Sequence, residues 1–152
     1  MFNEKTWRDG EKLVQEYLKK NGYKLVYTNF DVAGVELDIV SVLSVSKQKR
    51  KLKIEFKQKL KNEETKQGQY VLMQTLKKFI SELKPLLVIT EVKARSSDKF
   101  GKGYESVGKM KQTHIKRGAK VLMKNSKFAD FSVRFDVASV DGGVISYIEN
   151  AF

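Results

Sequence analysis

Glu91 and Lys93 stand two apart just beyond an apolar run, Leu86-Leu87-Val88-Ile89, and Asp38 lies near the end of Val35-Glu36-Leu37-Asp38-Ile39. Side chains alternate along an extended chain, so Glu91 and Lys93 share a face, and Asp38 is expected to project from a neighbouring strand. Asp, Glu and Lys are poor choices for strand interiors, and burying them uncompensated is costly. A divalent cation offsets that cost, because magnesium or manganese takes carboxylate oxygens together with water and phosphate oxygens. Asp38 and Glu91 supply two such ligands, and an ammonium at Lys93 suits steadying a hydroxide or the charge that develops on a phosphate. Spacing alone equally allows an ion-paired set in which Lys93 neutralises Asp38 or Glu91. Glu11 falls at helical spacing with Val14 and Leu18, which puts its carboxylate beside a buried stripe; it also suits a first-turn acid facing the helix dipole.

The elements that must position these groups are legible in outline. Thr6, with Asp9 three residues on, resembles a cap, and Leu13, Val14, Tyr17 and Leu18 continue as a helix until Asn21-Gly22. Residues 23–30 fit a strand, Asp31-Val32-Ala33-Gly34 a turn, and a second strand starts at Val35, with Val35, Leu37 and Ile39 expected on one face and Glu36 and Asp38 on the other. Residues 44–84 differ in character. Leu52, Ile54 and Phe56 alternate with Lys53, Glu55 and Lys57, which predicts a charged hairpin or edge strand; Leu72, Leu76, Phe79, Ile80 and Leu83 then mark a helix that Pro85 ends. This segment reads as an insertion within one domain spanning residues 1–152. Residues 86–89 form a buried strand that runs into Thr90-Glu91-Val92-Lys93-Ala94-Arg95. A polar loop over 96–106, a helix with Val107, Lys111, Ile115, Ala119 and Leu122 on one side, and two strands joined at Asp141-Gly142-Gly143 complete an α/β layer architecture.

Composition narrows the chemistry. With no cysteine and one histidine, His114, which matches no motif, thiolate and histidine-rich zinc sites are excluded, and a catalytic metal is expected on oxygen ligands. No apolar run reaches the roughly 20 residues of a membrane span, and Met1-Phe2-Asn3-Glu4-Lys5 lacks the layout of a signal peptide, so a cytoplasmic location with no membrane partner is expected. The net charge of +12 points to a polyanion, with nucleic acid foremost, although a lysine excess also follows from biased genome composition. The tract from Lys47 to Lys61 carries eight basic side chains against Glu55, making Lys49, Arg50, Lys51 and Lys53 candidate phosphate contacts. Arg95 suits phosphate contact or an ion pair. Lys111, on the Ile115 side of its helix, suits a phosphate near the site or a snorkelling surface lysine.

Ile89-Thr90-Glu91-Val92-Lys93-Ala94-Arg95, preceded by the Asp38 strand, resembles the paired Asp and Glu-x-Lys motif of the PD-(D/E)xK nuclease superfamily. The whole chain is similar to the YraN-like family of uncharacterised bacterial proteins, related in fold to archaeal Holliday junction resolvases. Gly10-Glu11, Tyr17-Leu18, Gly22, Asn29-Phe30, Gly101, Val107 with Lys111, Arg134-Phe135-Asp136 and Asn150-Ala151-Phe152 carry that likeness. The resemblance implies a restriction-endonuclease-like fold, a mixed sheet flanked by helices (αβββαβ core), to which residues 44–84 add the inserted strand and helix unit read above from the residues. It further implies Asp38 and Glu91 as direct ligands of magnesium or manganese, Glu11 as a direct or water-mediated ligand, the Val92 carbonyl as an additional one, and Lys93 orienting the nucleophile. The implied activity is endonucleolytic hydrolysis of DNA, branched or structured DNA foremost; a non-catalytic nucleic-acid-binding or protein-interaction module on the same fold is the alternative, and a homodimer is compatible with both. Two departures stand out: the family's Gly-Glu-Ile-Asp reads Gly34-Val35-Glu36-Leu37-Asp38 here, and residues 44–84 replace a short connection.

Overall fold

Val14 and Leu18, four residues apart, are fully buried, and they fix the face that the first helix, α1 (Glu4–Lys20), presents to the sheet. The computed structural model describes residues 4–95 and 107–152, with side chains from Arg8 to Ala94 and from Val107 onward. The expected loop over 96–106, with Gly101, lies outside the described residues. Thr6 sits inside α1, two residues after its first residue, so it does not cap the helix as expected.

After α1 the chain forms β1 (Lys24–Val32) and β2 (Val35–Leu43), two helices α2 (Val45–Asn62) and α3 (Lys66–Glu82), then β3 (Leu86–Arg95), α4 (Lys109–Leu122), a 3-10 turn (Ser126–Phe128), β4 (Ser132–Asp141) and β5 (Val144–Ile148). The five strands make one mixed sheet in the order β1-β2-β3-β4-β5, parallel between β3 and β4 and antiparallel elsewhere. The β1–β2 hairpin turns through Ala33 (φ 52°) and Gly34 (φ 71°), and two consecutive positive φ values match the twist of the flanking strands. The glycine displaced by one position thus serves the turn.

Each face of the sheet carries a core. On one, Val14 and Leu18 of α1 meet Ile39, Leu43, Val88, Val92 and Ala94. On the other, Ile115, Ala119 and Leu122 of α4 meet Val35, Leu37, Val40, Leu87 and Ile89. Val88 and Ile89 are buried on opposite sides, as the continuous apolar run predicts.

The insertion corrects the expected strand: Lys47 to Lys61 lie on a helix. Ser44 caps its N-terminus, accepting from the Lys47 N–H, and no glycine or proline interrupts the run of straight-chain lysines that follows. Leu52, Phe56 and Leu60 recur every four residues, with Phe56 buried, whereas Ile54, which supplied the alternation, is 63% exposed. Phe56 meets Phe79 edge-on at 6.2 Å, joining α2 to α3. No side chain of α3 is buried, so α2 and α3 form a helical hairpin standing off the sheet. Its two ends are clamped by Gln48, whose Nε2 donates to the carbonyls of Leu43 (3.1 Å) and Lys84 (2.7 Å). Among the described residues no helix is long and apolar enough to cross a membrane.

Candidate active site

Pairing between β2 and β3 runs from Leu43 opposite Leu86 to Ile39 opposite Thr90 and ends there. The next residues along are Asp38 and Glu91. Asp38 Oδ2 accepts the Val92 N–H at 2.8 Å, so a side chain takes over where the backbone ladder stops. The expected alternation of β2 also breaks at this point. Val35 and Leu37 join the α4-side core while Ile39 and Leu43 join the α1-side core, so Val35, Leu37 and Ile39 do not share a face. Asp38 sits at the break. Across from it on β1, between the pairs Thr28–Ile39 and Phe30–Leu37, Asn29 adopts a positive φ of 47°, a conformation that asparagine tolerates better than most residues.

Asn29 also reaches α1: its Nδ2 donates to Glu11 Oε2 at 3.1 Å. The close approach of α1 depends on Gly10, where a Cβ would stand 2.6 Å from the Cβ of Ala94 on β3. A side chain at position 10 would push the helix, and Glu11 with it, away from the end of β3. Gly10 and Asn29 thus act on the site through Glu11. An asparagine inside an alternating strand was the signal available in the sequence for Asn29, since that residue is depleted in strands.

Electrostatics concentrate on Asp38. Its carboxyl is pushed up to about 7 by burial first and the neighbouring Glu91 charge second; Glu11 adds to the rise, while the Val92 N–H and the ammonium of Lys111 oppose it. Lys111, from α4, forms an ion pair with Glu91 at 3.1 Å. Burial works against its charge, but Glu91, Asp38 and Glu36 outweigh that and hold the ammonium above its ordinary pKa. Placement of Lys111 on the Ile115 side of its helix therefore brings it to the acids. Lys93 is half-buried, two residues beyond Glu91 on β3, and opposite Ser139 of β4. Arg95 ends β3, and its side chain is not among those described.

The structure thus brings Asp38, Glu91 and Lys111 together, carries Glu11 to their margin through Asn29, and keeps Lys93 on the same strand as Glu91. Two carboxylates set together in a buried setting, with a backbone carbonyl between Glu91 and Lys93, form a hard-oxygen donor set that could hold a divalent cation in exchange for the Lys111 ammonium. Among the described residues, no group of three or more acidic or histidine side chains is gathered for a metal. Lys49, Arg50, Lys51 and Lys53 lie elsewhere, on α2. Lys51 is engaged with Glu149 at 2.7 Å and lies over the Tyr23 ring, so it docks α2 onto the domain.

A second buried cluster has no counterpart in the sequence reading beyond the motif Arg134-Phe135-Asp136. Asp136 is fully buried and accepts from Arg134 Nε (2.8 Å) and Nη2 (2.7 Å), from the Tyr147 hydroxyl (2.7 Å) and from the Asn150 N–H (2.9 Å). With four donors on one carboxylate its charge is compensated, and the cluster fastens β5 and the segment after it to β4.

A family model described as "Uncharacterised protein family UPF0102" matches residues 10–140. A UPF0102 protein of Thermodesulfovibrio yellowstonii is 32% identical over 145 residues, covering 95% of this chain and 93% of the relative. One from Clostridium acetobutylicum is 28% identical over 157 aligned residues, covering 99% and 96%. One from Saccharophagus degradans is 46% identical over 67 residues, 43% of this chain and 57% of the relative.

Proposed function

The chain belongs to the UPF0102 family, and on that premise we propose that it is a metal-dependent endonuclease of restriction-endonuclease-like fold that hydrolyses DNA phosphodiester bonds, branched or structured DNA foremost. The observation that carries this reading is the buried Asp38 carboxylate beside Glu91 at the point where β2 and β3 part. Asp38 and Glu91 would hold magnesium or manganese, with the Val92 carbonyl and Glu11 completing the protein's share. Such a cation supplies Lewis-acid polarisation of the phosphate and activation of water when bound.

The residues of the chain divide the remaining work. Lys93, on the same face of β3 as Glu91, has no lone pair for a metal when charged, so it orients the attacking water and steadies charge developing on the phosphate. Lys111 balances Glu91 before substrate arrives and is placed to take a phosphate oxygen as a second acceptor. Asn29 and Gly10 hold Glu11 at the margin of the site. Lys49, Arg50 and Lys53 supply sequence-independent attraction for the DNA backbone.

A second reading, a nucleic-acid-binding or interaction module without turnover, is favoured by the Lys111–Glu91 pair, which already neutralises one acid without a metal. A panel of four-way, flapped, bubble and linear DNAs incubated with magnesium or manganese separates the two. Cleavage abolished by Glu91→Gln supports the nuclease; binding without cleavage in either metal supports the module.

A further inference from the structure

We propose that the groove between α2 and α3 binds a single-stranded segment of nucleic acid, its phosphates tracked by lysines and one base stacked on Tyr70. This rests on the nucleic-acid reading above for the identity of the polymer, but it does not depend on cleavage. The groove, of about 730 Å³, is lined by Lys57, Lys61, Lys66 and Lys77 together with Tyr70 and Gln74, and among the described residues no acidic side chain lines it. The helical hairpin over residues 45–82 carries eleven basic and four acidic side chains, so it holds +7 of the chain's +12.

As a helix, α2 gives this charge a geometry that a strand would not. Lys49, Lys53, Lys57 and Lys61 recur every four residues and form one ridge, beside the stripe of Leu52, Phe56 and Leu60 that packs inward. A second groove, lined by Lys49, Arg50, Lys53 and Ile54, shares Lys57 with the first. The basic track therefore runs about 18 Å along the helix. Lys51 is excluded from it by its engagement with Glu149.

The kind of polyanion follows from Tyr70. Tyr70 is 61% exposed on a helix with no buried side chain, so it contributes little to packing, and it lines the groove. A ring among lysines binds an unpaired base by stacking, with little regard to sequence, whereas bases in a duplex already have both faces covered. A groove of this size is that of a small-ligand site, typically about 300–1,000 Å³, which suits nucleotides taken singly better than a double helix. Gln74 offers both a donor and an acceptor to a base edge. An apolar peptide would leave the four ammonium groups without partners.

Fluorescence anisotropy with a labelled oligothymidylate and with a duplex of the same length, both in chelator, tests this on the full chain. Wild type should bind the single strand more tightly than the duplex. Tyr70→Ala should weaken the single strand about 5- to 100-fold, as expected for loss of one base stack, and leave duplex affinity unchanged, while Tyr70→Trp retains binding. Replacing Lys57, Lys61, Lys66 and Lys77 by Gln should abolish the preference and flatten the salt dependence more than the same change at Lys12, Lys19, Lys20 and Lys24, which are equally exposed. Thermal melts verify that the variants fold. Unchanged binding by Tyr70→Ala, equal losses in the two lysine sets, or a wild-type preference for duplex would overturn the proposal. So would a concentration-dependent doubling of mass lost in Tyr70→Ala, which would assign the groove to a second copy of the chain. Because no metal is present, failure here and failure to cleave are separate outcomes.

Discussion

Asp38 should make the metal-free protein lose stability as pH rises, and Asp38→Asn should remove that loss. The carboxyl has an ordinary pKa of 3.8 and is pushed up to about 7 in the folded protein, by burial and then by Glu91. Between these values the folded state binds the proton and the unfolded state has released it, so folding weakens with rising pH; below about 4 both states hold the proton, and above about 7 both have lost it. Each pH unit in that window costs about 1.4 kcal/mol, which amounts to about 4 kcal/mol across it. For a chain of this length that corresponds to roughly 8–16 °C in unfolding midpoint. Asparagine keeps an oxygen for the Val92 N–H but carries no charge, so Asp38→Asn should be close to wild type at pH 4.5 and clearly more stable at pH 8. Other groups titrate too, and the difference between the two proteins isolates this one. Calorimetric melts of both in chelator from pH 4.5 to 8.5 read it directly. Magnesium or manganese at about 100 times its dissociation constant should restore some 2.7 kcal/mol to wild type at pH 8 and little to Asp38→Asn. Parallel curves for the two proteins in chelator would refute the buried-charge argument, and a metal effect of equal size in both would refute the ligand role of Asp38.

Lys93→Ala should lower single-turnover cleavage about 100- to 1000-fold while manganese affinity by calorimetry stays near wild type; a marked drop in unfolding midpoint instead would mean that the lysine only neutralises the acids. Gly10→Ala should destabilise by about 1–3 kcal/mol through the contact with Ala94, and Ala94→Gly in the same chain should recover most of it in denaturant titrations. Asn29→Gly keeps the positive φ but releases Glu11, so metal affinity should fall with little change in melting; equal affinity would remove Glu11 from the site. Arg134→Met should cost about 3–5 kcal/mol by stranding the buried Asp136, a loss seen in melts but not in the metal titration of the folded protein.

The acidic pair was legible in the sequence because two signals agreed: a continuous apolar run ending in charges placed Glu91 on a central strand, and the resemblance to the paired Asp and Glu-x-Lys motif put the Asp38 strand beside it. What alternation alone does not disclose is the break at Asp38. That break depends on the end of the β2–β3 pairing and on Asn29 across the sheet, both of them tertiary facts. The first half of the insertion misled for a different reason. Leu52, Ile54 and Phe56 satisfy a period of two, and Leu52, Phe56 and Leu60 satisfy a period of four, so the same residues carry both patterns. The absence of Gly and Pro over eighteen residues and the serine before them favour the helix, and those local signals outweigh one exposed isoleucine. The Arg134–Asp136 pair was visible as residues but not as a cluster, since Tyr147 and Asn150 reach it only once β5 has folded back.

The clamp that Gln48 makes between Leu43 and Lys84 bears on how the chain acquires its sheet. Leu43 and Leu86 are paired neighbours, so everything between them departs and returns across one inter-strand gap. Closing so long a loop from disordered chain, roughly ten times the length of a tight turn, costs about 2 kcal/mol more in entropy than the turn would. A helical hairpin that forms first, from contacts local in sequence, shortens that search and delivers both strand ends to the same place. In kinetic terms α2 and α3 then behave as an oversized turn, closed in the native state by the two hydrogen bonds of Gln48.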